Sequence, residues 1–151
     1  MIKRTVIFLL LNFAALAIGG LFTSSGVSSE WYTHLSKAPW TPPGWVFGAA
    51  WTSIMILFAI YMAYLIKAKQ SKTIIILFGI QWVLNMAWNP IFFYFKAITV
   101  GLVTILLLTL LIAYLFFTYW KALKIKTLLL APYLLWLLIA TSLNAYIFFY
   151  N

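Results

Sequence analysis

The run ITVGLVTILLLTLLIAYLFFTYW, residues 98–120, decides the fold class of this chain. It contains no charged residue, and a helix needs only about 20 apolar residues to cross a bilayer. Four more apolar runs cover approximately residues 5–24, 45–66, 73–95 and 127–150. Because lipid offers no partner for backbone polar groups, and because the runs lack the alternation of barrel strands, we expect helices. The sequence predicts an all-α integral membrane protein, in which residues 1–151 form one domain of five transmembrane helices.

The composition excludes several classes of protein. Apolar residues make up 66% of the chain and charged residues only 7%, whereas a soluble domain has about 25% charged residues. This balance argues against a soluble enzyme, a disordered chain and a nucleic-acid-binding domain. The chain has no cysteine, one histidine and one acidic residue, Glu30, which argues against a disulfide, a metal site and a metal cofactor.

The distribution of basic residues predicts the topology. Eight of the ten bases lie at the N-terminus and in two links, namely Lys3, Arg4, Lys67, Lys69, Lys72, Lys121, Lys124 and Lys126. Only Lys37 and Lys96 lie on the other side. The positive-inside rule then places the N-terminus in the cytoplasm, and the C-terminus outside a bacterial cell membrane. The first apolar run is longer than the core of a signal peptide and lacks a small-residue cleavage site, so we expect a retained helix.

Polar side chains inside the runs are amides, not charges. None of the runs holds an ionisable acid, which argues against a proton-coupled antiporter of the small multidrug type. Gln81, Asn85, Trp88 and Asn89 follow helical spacing and form one stripe on the third span. Such a stripe faces protein or a cavity, because an unpaired amide in lipid costs several kcal/mol. The stripe therefore predicts either hydrogen bonds between helices or contact with a ligand.

The tryptophans fall into two groups by their expected depth in the membrane. We expect Trp45, Trp120 and Trp82 to belong to the interfacial belts. Three others, Trp51, Trp88 and Trp136, lie deeper and near the amides. Their flat faces suit a planar ring ligand, although plain aromatic packing explains them equally well.

The link between spans 1 and 2 is the most distinctive segment. Within residues 25–44 it is rich in proline and tryptophan, and residues 31–51 read WYTHLSKAPWTPPGWVFGAAW. Prolines, Pro42 among them, restrict the backbone and favour an ordered cover over a floppy linker. Trp31 and Trp40 give this cover an apolar underside.

Three blocks of sequence together carry a resemblance to a known family. The first block is WYTHLSKAPWTPP at residues 31–43, extending to Trp51. The second is Leu84-Asn85-x-x-Trp88 followed by Phe92-Phe93. The third is Pro132-Tyr133-Leu134-x-Trp136 followed by Ala140-Thr141-x-Leu143-Asn144. Together the blocks resemble the tryptophan-rich sensory protein/peripheral benzodiazepine receptor (TspO/MBR, translocator protein) family. With five spans in the same order, the resemblance covers nearly the whole chain.

The resemblance implies a five-helix bundle whose first loop closes a ligand pocket, and often a homodimer. Members of the family bind porphyrins, sterols, isoquinoline carboxamides and benzodiazepines. Some bacterial members degrade porphyrins in light with the help of tryptophan, a role that would fall to Trp51 and Trp136 here. The pocket positions of the family match Trp51, Asn85, Trp88, Trp136, Ala140 and Leu143.

The chain departs from the family pattern at two places. Ala38 separates Lys37 from Pro39, where the family usually has Lys-Pro, so we expect a local shift of the loop. No basic residue follows Asn144, which argues against cholesterol as the physiological ligand.

From the composition, the tryptophans and the resemblance, we interpret the chain as a receptor or sensor for porphyrins or similar hydrophobic rings. The alternatives are a light-dependent porphyrin-degrading enzyme, a transporter of tetrapyrroles or sterols, and a pure interaction protein.

Overall fold

Five long apolar helices form, one from each of the predicted runs. The computed structural model describes all of residues 1–151, and it contains no β-strand. The five long helices are α1 (Ile2–Val27), α3 (Gly44–Ala68), α4 (Lys72–Asn89), α5 (Ile98–Thr118) and α7 (Ala131–Tyr150). Each is long and apolar enough to cross a membrane. The prediction of an all-α bundle with five spanning helices is therefore confirmed.

The helix boundaries differ from the predicted ones by a few residues. Helix α1 begins at Ile2 and includes Lys3 and Arg4. Their long side chains allow these residues to belong to a spanning helix, because the charged groups can extend to the membrane–water interface. Helix α5 ends at Thr118, and a short helix α6 (Trp120–Leu123) and a 3₁₀ segment (Lys124–Leu130) precede α7. Pro132 lies in the first turn of α7, where a backbone N–H has no partner within the helix, so the proline costs no hydrogen bond.

Pro90 begins a π-helical turn at the end of the third span. The helix continues from α4 as a π-helical turn over Pro90–Tyr94, closed by a hydrogen bond from Phe95 N to Pro90 O of 2.9 Å. Proline cannot donate the usual helical bond, so the backbone widens there. The wider turn buries Phe92 and Phe93 side by side. Lys96 then reverses the chain with φ of 54°.

The bundle is filled at one end and hollow at the other. Its large aromatic core lies toward the basic links, where Phe58 packs against Phe78 and against Tyr133, with ring centroids 5.9 and 5.2 Å apart. The other end, where α1 finishes and α3 begins, is called the loop end below.

Trp82, predicted to lie in the interfacial belt, instead donates its indole N–H to the carbonyl of Leu11 at 2.8 Å. It therefore joins α4 to the middle of α1.

The first loop, residues 28–43, is ordered. Helix α2 (Glu30–Thr33) starts where the side chain of Ser29 accepts a hydrogen bond from Tyr32 N. Further along, the carbonyl of the buried Ala38 accepts bonds from both the N–H and the hydroxyl of Thr41. The inserted Ala38 thus provides the acceptor for the turn that precedes α3.

A candidate ligand cavity beneath the first loop

A cavity of about 650 Å³ occupies the loop end of the bundle. Its walls come from α1, α3, the end of α4 with its π-helical turn, and α7, and the first loop covers it. Six of the nine predicted site residues line it: Pro42, Trp51, Asn85, Trp88, Ala140 and Leu143. The cavity therefore brings together residues from all three of the sequence blocks.

Trp31 and Trp40 do not line the cavity but fix its cover. Trp31 packs edge-on against Phe92, with ring centroids 5.5 Å apart. Trp40 donates its indole N–H to Ser142 Oγ at 3.1 Å and packs against Tyr146. One tryptophan thus holds the loop to the π-helical turn and the other holds it to α7.

Trp136 also lies outside the cavity. It is buried, and its ring meets the edge of Phe47 at 5.4 Å. Phe47 itself lines the cavity, so Trp136 packs against a lining residue without being one. The indole nitrogen of Trp136 has no hydrogen-bond partner.

The stripe of polar residues on α4 was predicted either to bond helices together or to contact a ligand, and its members differ in which of these roles they take. Gln81 donates to the hydroxyl of Tyr133 at 2.6 Å, and Trp88 donates its indole N–H to Asn144 Oδ1 at 3.0 Å. Asn89 accepts from the hydroxyl of Thr23 at 2.6 Å. These three residues join α4 to α7 and to α1, so most of the stripe bonds helices together.

Asn85 is the exception. Its carboxamide nitrogen makes only a 4.0 Å contact with the sulfur of Met55, and thioether sulfur is a weak acceptor. No hydrogen bond reaches its carboxamide oxygen. Because Asn85 also lines the cavity, it is the amide of this stripe that is free to bond a guest.

Aromatic rings form much of the wall. Trp51 meets Tyr133 edge-on at 6.0 Å, which fixes one side of the indole. Trp88 stacks on Phe92 with centroids 5.0 Å apart and planes only 14° from parallel. Such rings favour contact with a flat apolar molecule.

Sequence reasoning missed the residues at the mouth of the cavity. Tyr32 and Lys37, both from the first loop, belong to its lining. Burial raises the pKa of the Tyr32 phenol, so this hydroxyl stays neutral and able to donate a hydrogen bond. The signal available in the sequence was that Lys37 is the one base of the first loop.

The cavity lining contains no histidine, cysteine, aspartate or glutamate. Nowhere in the structure do three His, Cys, Asp or Glu side chains come together in a group that could hold a metal ion. The arrangement can enclose an apolar ring, bond it through an amide and place it beside an indole.

Comparisons with known proteins agree with this architecture. The model of the TspO/MBR family matches residues 7–150. The chain is 35% identical to the tryptophan-rich protein TspO of Chlorobaculum tepidum over 130 residues, which cover 83% of this chain and 82% of that protein. It is 33% identical to a tryptophan-rich sensory protein of Cereibacter sphaeroides, with 76% and 73% of the two chains covered.

A human protein is also similar. The chain is 32% identical to the human translocator protein over 125 residues, which cover 79% of this chain and 73% of the human one. The match of the family model extends over all five spanning helices and the first loop. The chain therefore belongs to the TspO/MBR family, and it is a multi-pass integral membrane protein.

Proposed function

We propose that this protein is a membrane receptor that binds a porphyrin or a similar flat, hydrophobic ring compound in the cavity beneath the first loop. The observation that carries the proposal is the free amide of Asn85 in a cavity wall of which half the lining residues are hydrophobic. A volume of about 650 Å³ lies within the range typical of small-molecule sites, roughly 300–1,000 Å³. Isoquinoline carboxamides and benzodiazepines combine fused rings with a carbonyl, so they suit the same wall.

The names of the relatives support a role in sensing or transport. Two bacterial relatives are called tryptophan-rich sensory protein and tryptophan-rich protein TspO, and the human one is called translocator protein. Those names describe the relatives. For this chain, the aromatic wall supports a ring ligand, and the cover above it supports enclosure of that ligand.

Binding of protoporphyrin IX to the purified protein in a neutral detergent tests the proposal. Saturable quenching of tryptophan fluorescence should give a dissociation constant, and Trp51→Ala should weaken binding by about tenfold or more, since one wall of the cavity is lost. Trp45→Ala is the matched control, because Trp45 is 75% exposed and lies outside the cavity. Equal affinity in both variants, or no saturable binding by the parent, would contradict the proposal.

A second candidate function is light-dependent degradation of the bound porphyrin, and the position of Trp51 favours it. An excited porphyrin beside an indole can oxidise it or pass its energy to oxygen, and either route alters the ring or the tryptophan. Loss of the porphyrin absorption band that needs light, oxygen and protein together would support this activity. Equal bleaching of free porphyrin would contradict it.

A further inference from the structure

A second, smaller groove lies at the opposite end of the bundle from the cavity beneath the first loop. It has a volume of about 340 Å³ and lies where α3 ends and α4 begins, lined by Ile66, Gln70, Ser71, Lys72 and Ile75. The two isoleucines belong to the spanning helices, whereas the three polar residues belong to the link or to the first residue of α4. The groove therefore has apolar walls on the membrane side and a polar, basic rim on the water side.

The positive charge of this rim has no counter-charge in the protein. Lys67, Lys69 and Lys72 lie within a stretch of six residues, and all three are exposed. The one acidic residue of the chain, Glu30, begins helix α2 in the first loop, at the loop end. None of the three lysines makes a side-chain hydrogen bond or an ion pair within the protein. Their ammonium groups are therefore free to meet an anion from outside the chain.

The second basic link adds to the positive charge at this end. Helix α6 and the 3₁₀ segment pack against α3. The ammonium nitrogen of Lys126 lies 4.4 Å from the centre of the Tyr64 ring, one turn before Lys67. This cation–π contact brings the second link to the same end of α3 as the first. Each lysine near an anionic membrane surface strengthens the attraction by about fivefold.

The combination of apolar walls and basic rim matches an anionic phospholipid. A free phosphate would use the rim alone and leave Ile75, which is 53% exposed, uncovered. Phosphatidylcholine would place an acyl chain on the isoleucines, but its trimethylammonium group would meet like charges at the rim. A lipid whose headgroup is negative uses both parts of the groove.

We propose that the groove between α3 and α4 binds one anionic phospholipid, with its phosphate at Lys72 and an acyl chain along Ile66 and Ile75. Basic pockets between spanning helices recognise acidic lipid headgroups in this way. The groove is separate from the cavity beneath the first loop, so the inference stands whether or not that cavity binds a porphyrin. It also differs from the positive-inside rule, which treats the lysines of the two links as interchangeable.

Native mass spectrometry of the protein in neutral detergent counts the lipids that it retains. With phosphatidylglycerol and phosphatidylcholine of identical acyl chains, the parent should bind one phosphatidylglycerol about tenfold more tightly. Lys72→Gln should reduce this preference by about fivefold, and Lys72→Arg should keep it. Lys121→Gln is the matched control, because Lys121 is exposed in the other basic link and lies outside the groove. No preference in the parent, or an equal loss in Lys72→Gln and Lys121→Gln, would overturn the site.

The apolar part of the groove has its own test. Ile75→Trp fills the groove without changing any charge, so it should weaken binding of phosphatidylglycerol per folded molecule by about tenfold. Ile76→Trp is the matched control, because Ile76 is the next residue of α4, is 61% exposed and does not line the groove. Binding by Ile75→Trp that equals binding by Ile76→Trp would contradict a seat for the acyl chain.

The headgroup alone separates a lipid from a free anion. Glycerophosphoglycerol is the headgroup of phosphatidylglycerol without its chains, and at equal concentration it should not displace the lipid from the parent protein. Displacement would mean that the rim takes a free phosphodiester and that the assignment to a lipid is wrong.

Discussion

At the scale of single residues, two amides one turn apart on α4 have different roles. Gln81 is 1% exposed and bonded to Tyr133, whereas Asn85 lines the cavity with its oxygen free. Helical spacing puts both on one face, and this much could be predicted from the sequence. Which amide finds a partner depends on the side chains opposite, and spacing along one helix does not contain that information.

Asn85→Ala should weaken binding of an isoquinoline carboxamide by about 1–3 kcal/mol, because a ligand carbonyl loses its donor. The melting temperature in detergent should change little, since the side chain bonds only weakly to the protein. Gln81→Leu should have the opposite pattern, with an effect on stability and none on ligand affinity. It should lower stability by about 1–3 kcal/mol by leaving the buried Tyr133 hydroxyl without its partner, while affinity per folded molecule persists. An Asn85→Ala protein that unfolds but binds normally when folded would assign Asn85 a structural role.

The resemblance assigns the photochemical role to Trp51 and Trp136, but of these two only Trp51 lines the cavity. Spacing along α7 predicts that Trp136 faces the bundle, but it does not show that its ring packs against Phe47 of α3 outside the cavity lining. If porphyrin is photodegraded, Trp51→Phe should therefore slow bleaching more than Trp136→Phe does. Phenylalanine keeps much of the apolar surface and is far harder to oxidise. Equal rates in the parent and both variants, measured from the porphyrin absorption band, would exclude an indole-dependent reaction.

At the scale of elements, the π-helical turn and α1 depend on each other. Gly26 of α1 is buried against Phe93, and a Cβ at position 26 would lie 2.6 Å from Phe93 Cβ and closer still to its ring. A change of rotamer cannot relieve a clash with Cβ, so the backbones must separate. The proline could be predicted to distort the span, whereas the form of the distortion depends on this contact with α1.

Gly26→Ala should therefore destabilise the protein by about 1–3 kcal/mol, the usual range for overpacking. Thermal unfolding in detergent measures the effect. Gly79→Ala is the matched control, because a Cβ there meets nothing within 4 Å and the position is exposed. It should be neutral or slightly stabilising, since alanine favours the helix. Equal loss of stability in both variants would mean that Gly26 is needed for the flexibility of α1, and not for the close approach of α1 to Phe93.

The middle of the first loop is held by side-chain hydrogen bonds at Ser36 and Trp40. Trp40 bonds to Ser142, and the carboxamide of Asn151 bonds to both the N–H and the carbonyl of Ser36, at 2.9 and 3.0 Å. Proline and tryptophan predicted an ordered cover correctly. The positions to which it is fastened, on the last helix, are more than 100 residues away in sequence, and no local pattern marks them.

Trp40→Phe should speed ligand release by about threefold, because one hydrogen bond that holds the cover shut is worth about 0.5–1.5 kcal/mol. Phenylalanine keeps the packing against Tyr146. Ser142→Ala removes the same bond from the other side and should give the same dissociation rate by stopped-flow fluorescence. The double variant should be no faster than either single one. Release that is unchanged in all three would show that the cover opens elsewhere.

At the scale of the whole molecule, the basic residues and the cavity lie at opposite ends. The links that carry Lys67, Lys69 and Lys72, and later Lys121 to Lys126, lie beside the filled core, while the first loop and Asn151 meet at the loop end. Five spans must put the chain termini on opposite sides, and the bond between Ser36 and Asn151 is consistent with that count. The positive-inside rule therefore predicts that the cavity opens toward the outside of the cell.

Single cysteines test this orientation cleanly, because the chain has none of its own. Ser28 and Gln70 are exposed, the first at the loop end and the second in a basic link. In intact bacterial cells an impermeant thiol reagent should label Ser28→Cys and leave Gln70→Cys unreacted until the membrane is broken. The physical reason is the cost of moving lysines across the bilayer, about 2.5–3.5 kcal/mol each at its centre. Eight bases on one side against two on the other make the reverse orientation unfavourable. The opposite labelling pattern would place the cavity toward the cytoplasm, and a porphyrin would then enter it from within the cell.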